Sequence, residues 1–212
     1  MFGWKKDITG IPESHFNKKL ILKIIEKSIK KCHQFIPSDP TRIFIFPSFN
    51  PFKKEKMFGV GGFCSGKNAV LIDINLVSGW QTALEKTVYH EFNHSIVSIP
   101  CDQWRLLDSL VFEGLADNFA EELSNGKTSP WVKAFSGKTC RKYFLKIKKL
   151  LSSKSYKTHQ AVFFANIEYP LWLGYSMGYQ IVKSFLKKNP ELKWKDIMKL
   201  STKKIAEDFI KS

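Results

Sequence analysis

The sequence predicts an α+β fold: a small mixed sheet near the N-terminus, followed by a mainly helical lobe. Three observations predict it. The three runs that read as strands, within 42–46, 57–64 and 69–75, all fall before residue 80. After Gly79 the apolar residues recur at helical spacing for most of the remaining length. The chain of 212 residues shows no internal repeat, low-complexity tract or Gly/Ser linker, so a single domain over 1–212 is expected. Its parts are a helix and sheet over 1–80, a helix pair over 81–126 and a basic helical part over 127–212.

Taken in order, residues 15–35 read as a helix, with Leu20, Ile21, Ile24, Ile25 and Ile29 on one face and Pro37 to Pro40 as its stop. Arg42-Ile43-Phe44-Ile45-Phe46 is a strand that ends at Pro47. Met57 to Cys64, with Gly59, Gly61 and Gly62, reads as a second strand of edge or close-approach character. Ser65-Gly66-Lys67-Asn68 is turn chemistry, and Ala69 to Asn75 returns as a third strand. Ser78 with Gln81, or Thr82 with Glu85, offers a capping box for a helix running to about Ser98. The next helix spans about Asp102 to Leu123 and stops at Asn125-Gly126. Further helices fit 138–151, 158–167, 172–188 and 202–211.

Composition excludes several classes. Hydrophobic residues make up 43%, too many for a disordered chain, and no apolar run reaches the length of a membrane helix. The first residues, Met1-Phe2-Gly3-Trp4-Lys5-Lys6-Asp7, lack a signal-type apolar stretch, which predicts a cytoplasmic protein. Cys32, Cys64, Cys101 and Cys140 form no Cys-x-x-Cys pair and read as reduced thiols, mostly packed as small hydrophobes, with one disulfide joining two of them as the alternative. The net charge of +15 is uneven: residues 127–212 hold 19 basic and 5 acidic side chains. Lysines interleaved with Leu, Ile and Phe read first as solvated helix faces. The alternative is a weak electrostatic contact with nucleic acid or anionic membrane.

His90-Glu91-Phe92-Asn93-His94 is an H-E-x-x-H sequence. On a helix, residues i and i+4 share a face, so both imidazoles can reach one Zn²⁺. Glu91, one position round, reaches a water there and acts as general base, then acid. Leu84, Val88, Phe92 and Ile96 step by four and supply the packed face such a helix needs.

The third ligand sets the class. Positions 97 and 100 are Val and Pro, so the longer motif ending in a third histidine is absent. Downstream lies Glu113-Gly114-Leu115-Ala116-Asp117, nineteen residues past His94. A helix–loop–helix of that length presents Glu113 as the third ligand. Asp117, on the same face, would accept from the outer nitrogen of a ligand histidine. Gly114 lets the two backbones approach. Asp108, Glu121 and Glu122 are expected to be solvated.

These motifs resemble the gluzincins, the thermolysin-like clan with two histidines and a glutamate on zinc. More closely, the chain resembles a bacterial family of predicted Zn-dependent proteases, long filed as a domain of unknown function. A later Gly174-Tyr175-Ser176-Met177-Gly178-Tyr179 segment extends the likeness over roughly residues 57–185. The resemblance implies a zincin-like metallopeptidase acting on peptides or unfolded protein segments. It also implies an edge strand beside the active-site helix, where Gly61, Gly62 and Phe63 would bind substrate; the glycines read equally as a bulge. Tyr175 and Tyr179 are candidate oxyanion donors, with His159 as their rival. Two alternatives stay open. One is a nucleic-acid- or membrane-binding module with a structural or latent metal site. The other is a zinc hydrolase that is not a peptidase, although Cys64 lacks a deformylase's surrounding pattern.

Overall fold

A computed structural model describes residues 17–66, 69–97, 99 and 101–211. The expected helix start at residues 15–16, Lys67 and Asn68 of the turn, Ser98, Pro100 and the leader reading of the first residues lie outside them. The chain divides into two units, Met1–Ser98 with Phe119–Lys127, and Ile99–Asn118 with Thr128–Ser212.

In the first unit, α1 (Lys18–Phe35) starts at Asn17, whose side chain accepts from the Leu20 amide. Its Ile21, Ile25, Ile29 and Cys32 are buried. The mixed sheet comprises β1 (Arg42–Pro47), β2 (Val60–Gly66) and β3 (Ala69–Ile74) in the order β1-β3-β2. Strand β3 runs parallel to β1 and antiparallel to β2. Val70, Ile72 and Ile74 of β3 are buried while Ala69, Leu71 and Asp73 between them are not, as one covered face requires. Between β1 and β2 lies α2 (Pro51–Lys56), a helix the apolar pattern did not announce. Asn50 caps it and Pro51 opens it, a legitimate start signal. Lys53 ties it to the sheet through a 2.7 Å ion pair with Asp73, which also accepts from Ser48.

Helix α3 (Trp80–Ile96) starts at Gly79 in the left-handed region, and neither expected capping box forms. Glu85 instead accepts from the Tyr89 hydroxyl at 2.8 Å. Leu84, Val88 and Phe92 are fully buried, and Phe92 stacks on Phe119 and meets His33 edge-on.

The second unit is helical. A short 3-10 turn (Cys101–Gln103) precedes α4 (Leu106–Leu123), so the helix starts four residues later than expected. Asp108 explains the start and corrects its expected exposure. It is buried and accepts from the backbone and guanidinium of Arg105 and from the Thr202 hydroxyl. Its reach back to the Arg105 amide is one half of a capping box, which places the first helical residue at Leu106. Leu106 and Leu107 donate to the carbonyls of Ser153 and Leu151. Asn125 and Gly126, both at positive φ, end the chain's turn out of α4 as the sequence predicted.

The remaining helices are α5 (Gly137–Ile147), α6 (Tyr156–Phe164), α7 (Leu173–Lys188), α8 (Trp194–Ile197) and α9 (Thr202–Lys211). Helix α7 is the centre of this unit, touching α5, α6 and α9. Its Gly178 crosses Gly114 of α4. A Cβ on Gly114 would stand 2.1 Å from the Gly178 carbonyl oxygen, and one on Gly178 would stand 2.1 Å from that of Leu110. Gly114 therefore serves an approach of α4 to α7. Asn118 bridges the crossing by donating to the carbonyls of Gly114 and Tyr179 at 2.8 and 3.1 Å.

Cys32 and Cys140 are free, buried thiols. Burial pushes the Cys32 thiol up and that of Cys140 up to about 11, so both stay protonated and unreactive. No helix of the described residues is long and apolar enough to cross a membrane.

Candidate metal centre

His90 and His94 sit one turn apart on α3, and both are buried, with 8% of their surface exposed. Solvated histidines on a surface helix are therefore excluded. Their rings meet at a centroid distance of 4.7 Å, and their Nε2 atoms lie 3.0 Å apart. Two nitrogens around a tetrahedral zinc ion stand about 3.3 Å apart, so the pair is already near the spacing of two ligands to one ion. Glu113 supplies a carboxylate oxygen, and the three ligand atoms all lie within 4.8 Å of one another. Two imidazoles and one carboxylate form a donor set that suits Zn²⁺. The residues present fit the metal.

Glu91 is also buried, and β2 explains its room. A Cβ on Gly62 would stand 2.5 Å from Glu91 Cγ and 2.6 Å from its Oε1. Only glycine lets the strand pass this close to the carboxylate. The expected trio is thus divided. Gly62 faces α3, whereas the space beside Gly61 is filled by Lys53 and Asp73. Phe63 pairs across the sheet with Leu71, as Gly61 does with Asp73, and is 57% exposed. Gly61 and Gly62 keep regular register with β3; the irregularity falls between Cys64 and Gly66, so the two glycines do not mark a bulge.

In the second unit, Asp117 is buried and its Oδ1 accepts from the indole Nε1 of Trp131 at 3.0 Å. Trp131 was not foreseen. It lies fourteen residues on, in a 3-10 turn (Pro130–Lys133), where no periodicity points to it. Tyr175 and Tyr179 are on α7. Tyr179 is 4% exposed, with Lys183 over its ring. Tyr175 is half-buried against Phe163, Phe164 and Trp131. His159 of α6 stacks on Phe163 at 4.4 Å, more enclosed than its polar neighbours in sequence implied. Burial lowers its pKa, while the negative charge of Glu113 works in the opposite direction.

Comparison with known proteins follows the same line. "Uncharacterized protein YjfC" of Bacillus subtilis (strain 168) is 24% identical over 203 residues, covering 86% of this chain. The chain spans 66% of that relative's length. No solved structure matches it. Residues 21–207 match the family described as "Predicted Zn-dependent protease (DUF2268)", and the chain belongs to that family.

Proposed function

We propose that the chain is a zinc-dependent metallopeptidase of gluzincin type with a zincin-like arrangement, hydrolysing peptides or unfolded protein segments. The observation that carries this reading is the convergence of His90, His94 and Glu113 ligand atoms within 4.8 Å. The family description adds zinc and proteolysis independently of that geometry. Held by these three residues, zinc would supply Lewis acidity, acidifying a water and polarising the scissile carbonyl.

The chain's own groups do the rest. Glu91 takes the water's proton on its carboxylate and delivers it to the leaving amine as the C–N bond breaks. Asp117 accepts from the outer N–H of a ligand histidine and fixes that ring's tautomer. Tyr175, Tyr179 and His159 compete for the role of oxyanion donor. His159 gains support from its electrostatic exposure to Glu113, and Tyr175 from being less buried than Tyr179. A peptide lying along the outer edge of β2 would pass Gly62, and so Glu91, with its backbone extended.

Metal analysis tests the ligand set. The purified chain should hold about one zinc per molecule, and His94→Ala should hold none. Full zinc retention by that variant would refute the assignment.

A further inference from the structure

The aromatic residues of the second unit form a connected series that ends on Asp117. His159 stacks on Phe163, and Phe163 meets Tyr175 edge-on at 5.0 Å. Tyr175 faces Trp131 at 6.1 Å, and Trp131 bonds to Asp117. Trp131 is the member with polar ties on both sides of its backbone and ring. Its carbonyl accepts from Ser176 Oγ at 2.7 Å, and the same hydroxyl accepts from the Phe135 amide at 3.3 Å. Ser176 is fully buried on α7, next to Tyr175, so the turn carrying Trp131 is anchored to that helix.

A second feature presses on the same ring. Trp172, which begins α7, has φ +71°, a left-handed conformation that a bulky side chain rarely adopts. Its amide donates to the Phe163 carbonyl at 3.1 Å, and its ring lies 6.5 Å from that of Trp131. A backbone held in so unfavourable a region is over-determined by its surroundings, and here it leaves the Trp172 ring tilted beside the indole.

We propose that Trp131 is a positioning residue for the metal site, holding the Asp117 carboxylate in one orientation through its indole N–H. This rests on the proposed His90, His94 and Glu113 site. A carboxylate on a helix rotates about two side-chain bonds, and a buried one is fixed only by the donors it meets. With Oδ1 engaged by the indole, the plane of the carboxylate is set for the imidazole N–H it is to receive. On the role proposed for Asp117, removing the indole donor therefore weakens zinc binding without touching any ligand atom. Trp131 also walls one side of Tyr175, which couples the metal end of the site to a candidate oxyanion donor.

The test is a double-mutant cycle on the full chain, reading zinc affinity by competition with a chromophoric chelator. Trp131→Phe keeps an aromatic ring and deletes the N–H; Asp117→Asn keeps the shape and removes the charge. Each should weaken zinc binding about tenfold or more, and the double variant should lose little beyond either one. Unfolding of the metal-free proteins is measured alongside. Unchanged zinc affinity in Trp131→Phe overturns the proposal, and so does a loss of metal-free stability alone. Fully additive losses overturn it too. His94→Ala, run in parallel, reports on the ligand set itself: retained zinc there sinks the site, whatever Trp131 does.

Discussion

Two glycines, one in each unit, show how differently the two units use the same residue. At Gly62 the space a side chain would need is taken by the Glu91 and Thr87 side chains. At Gly114 it is taken by the backbone carbonyl of Gly178. The first unit therefore uses glycine to keep room for the Glu91 side chain. The second uses glycine to let two helices touch, and its fold depends on that contact. A side chain can rotate away at little cost, but a helix backbone cannot.

Perturbing each position sharpens the contrast, with the largest effect expected at Glu91, the proposed general base. Glu91→Gln should keep its zinc and lose turnover by about 10²–10⁴-fold. Steady-state kinetics on a mixed peptide library, paired with metal analysis, would read it; unchanged activity would remove Glu91 from the mechanism. Gly62→Ala should also fold and bind zinc, but with Glu91 pushed aside its turnover should fall about a hundredfold. A Gly62→Ala enzyme with normal kcat would show that the carboxylate has room to spare. Gly114→Ala should instead lower stability by about 3 kcal/mol or more, because a carbonyl 2.1 Å from the new Cβ must move with its helix. Denaturant unfolding that matches the unsubstituted protein would contradict the crossing.

A smaller effect belongs to Asp108. Burial raises its pKa, but hydrogen bonds from Arg105 and Thr202 outweigh that and hold the carboxyl below the ordinary carboxylate range. A depressed folded-state pKa contributes stability that is present above the unfolded value, about 4, and is lost as pH falls through the folded one. Asp108→Asn should therefore cost about 2 kcal/mol at neutral pH, with the difference shrinking below about pH 4. Urea titrations across that pH range would show it, and a pH-independent difference would be inconsistent with a charged Asp108.

Much of the fold was legible because its signals are local. The apolar spacing of α1, the β-branched run of β1 and the helical periodicity of α7 are each written within one element. The misses have local and non-local causes. Helix α2 carries only an Asn-Pro start signal and buries no residue, so no apolar pattern marks it. The start of α4 depends on Asp108, whose partner Thr202 is ninety-four residues away. Asp108 looked like one more acidic residue on a helix; only its distant hydroxyl partner and its neighbour Arg105 make its burial tolerable. Gly114 was legible as a close-approach residue, but not the helix it approaches.

The sequence by itself determined the spacing of His90, Glu91 and His94, because 3.6 residues per turn makes their relative directions a local property of one helix. It also carried the match to the family over residues 21–207. Tertiary structure alone decided the rest. Glu113 joins the two imidazoles, Asp117 receives the Trp131 indole, and Asn118 reaches the Tyr179 carbonyl sixty-one residues on. Each of these joins residues far apart in sequence, and such pairings are set by the summed packing of many side chains, which no short stretch of sequence contains.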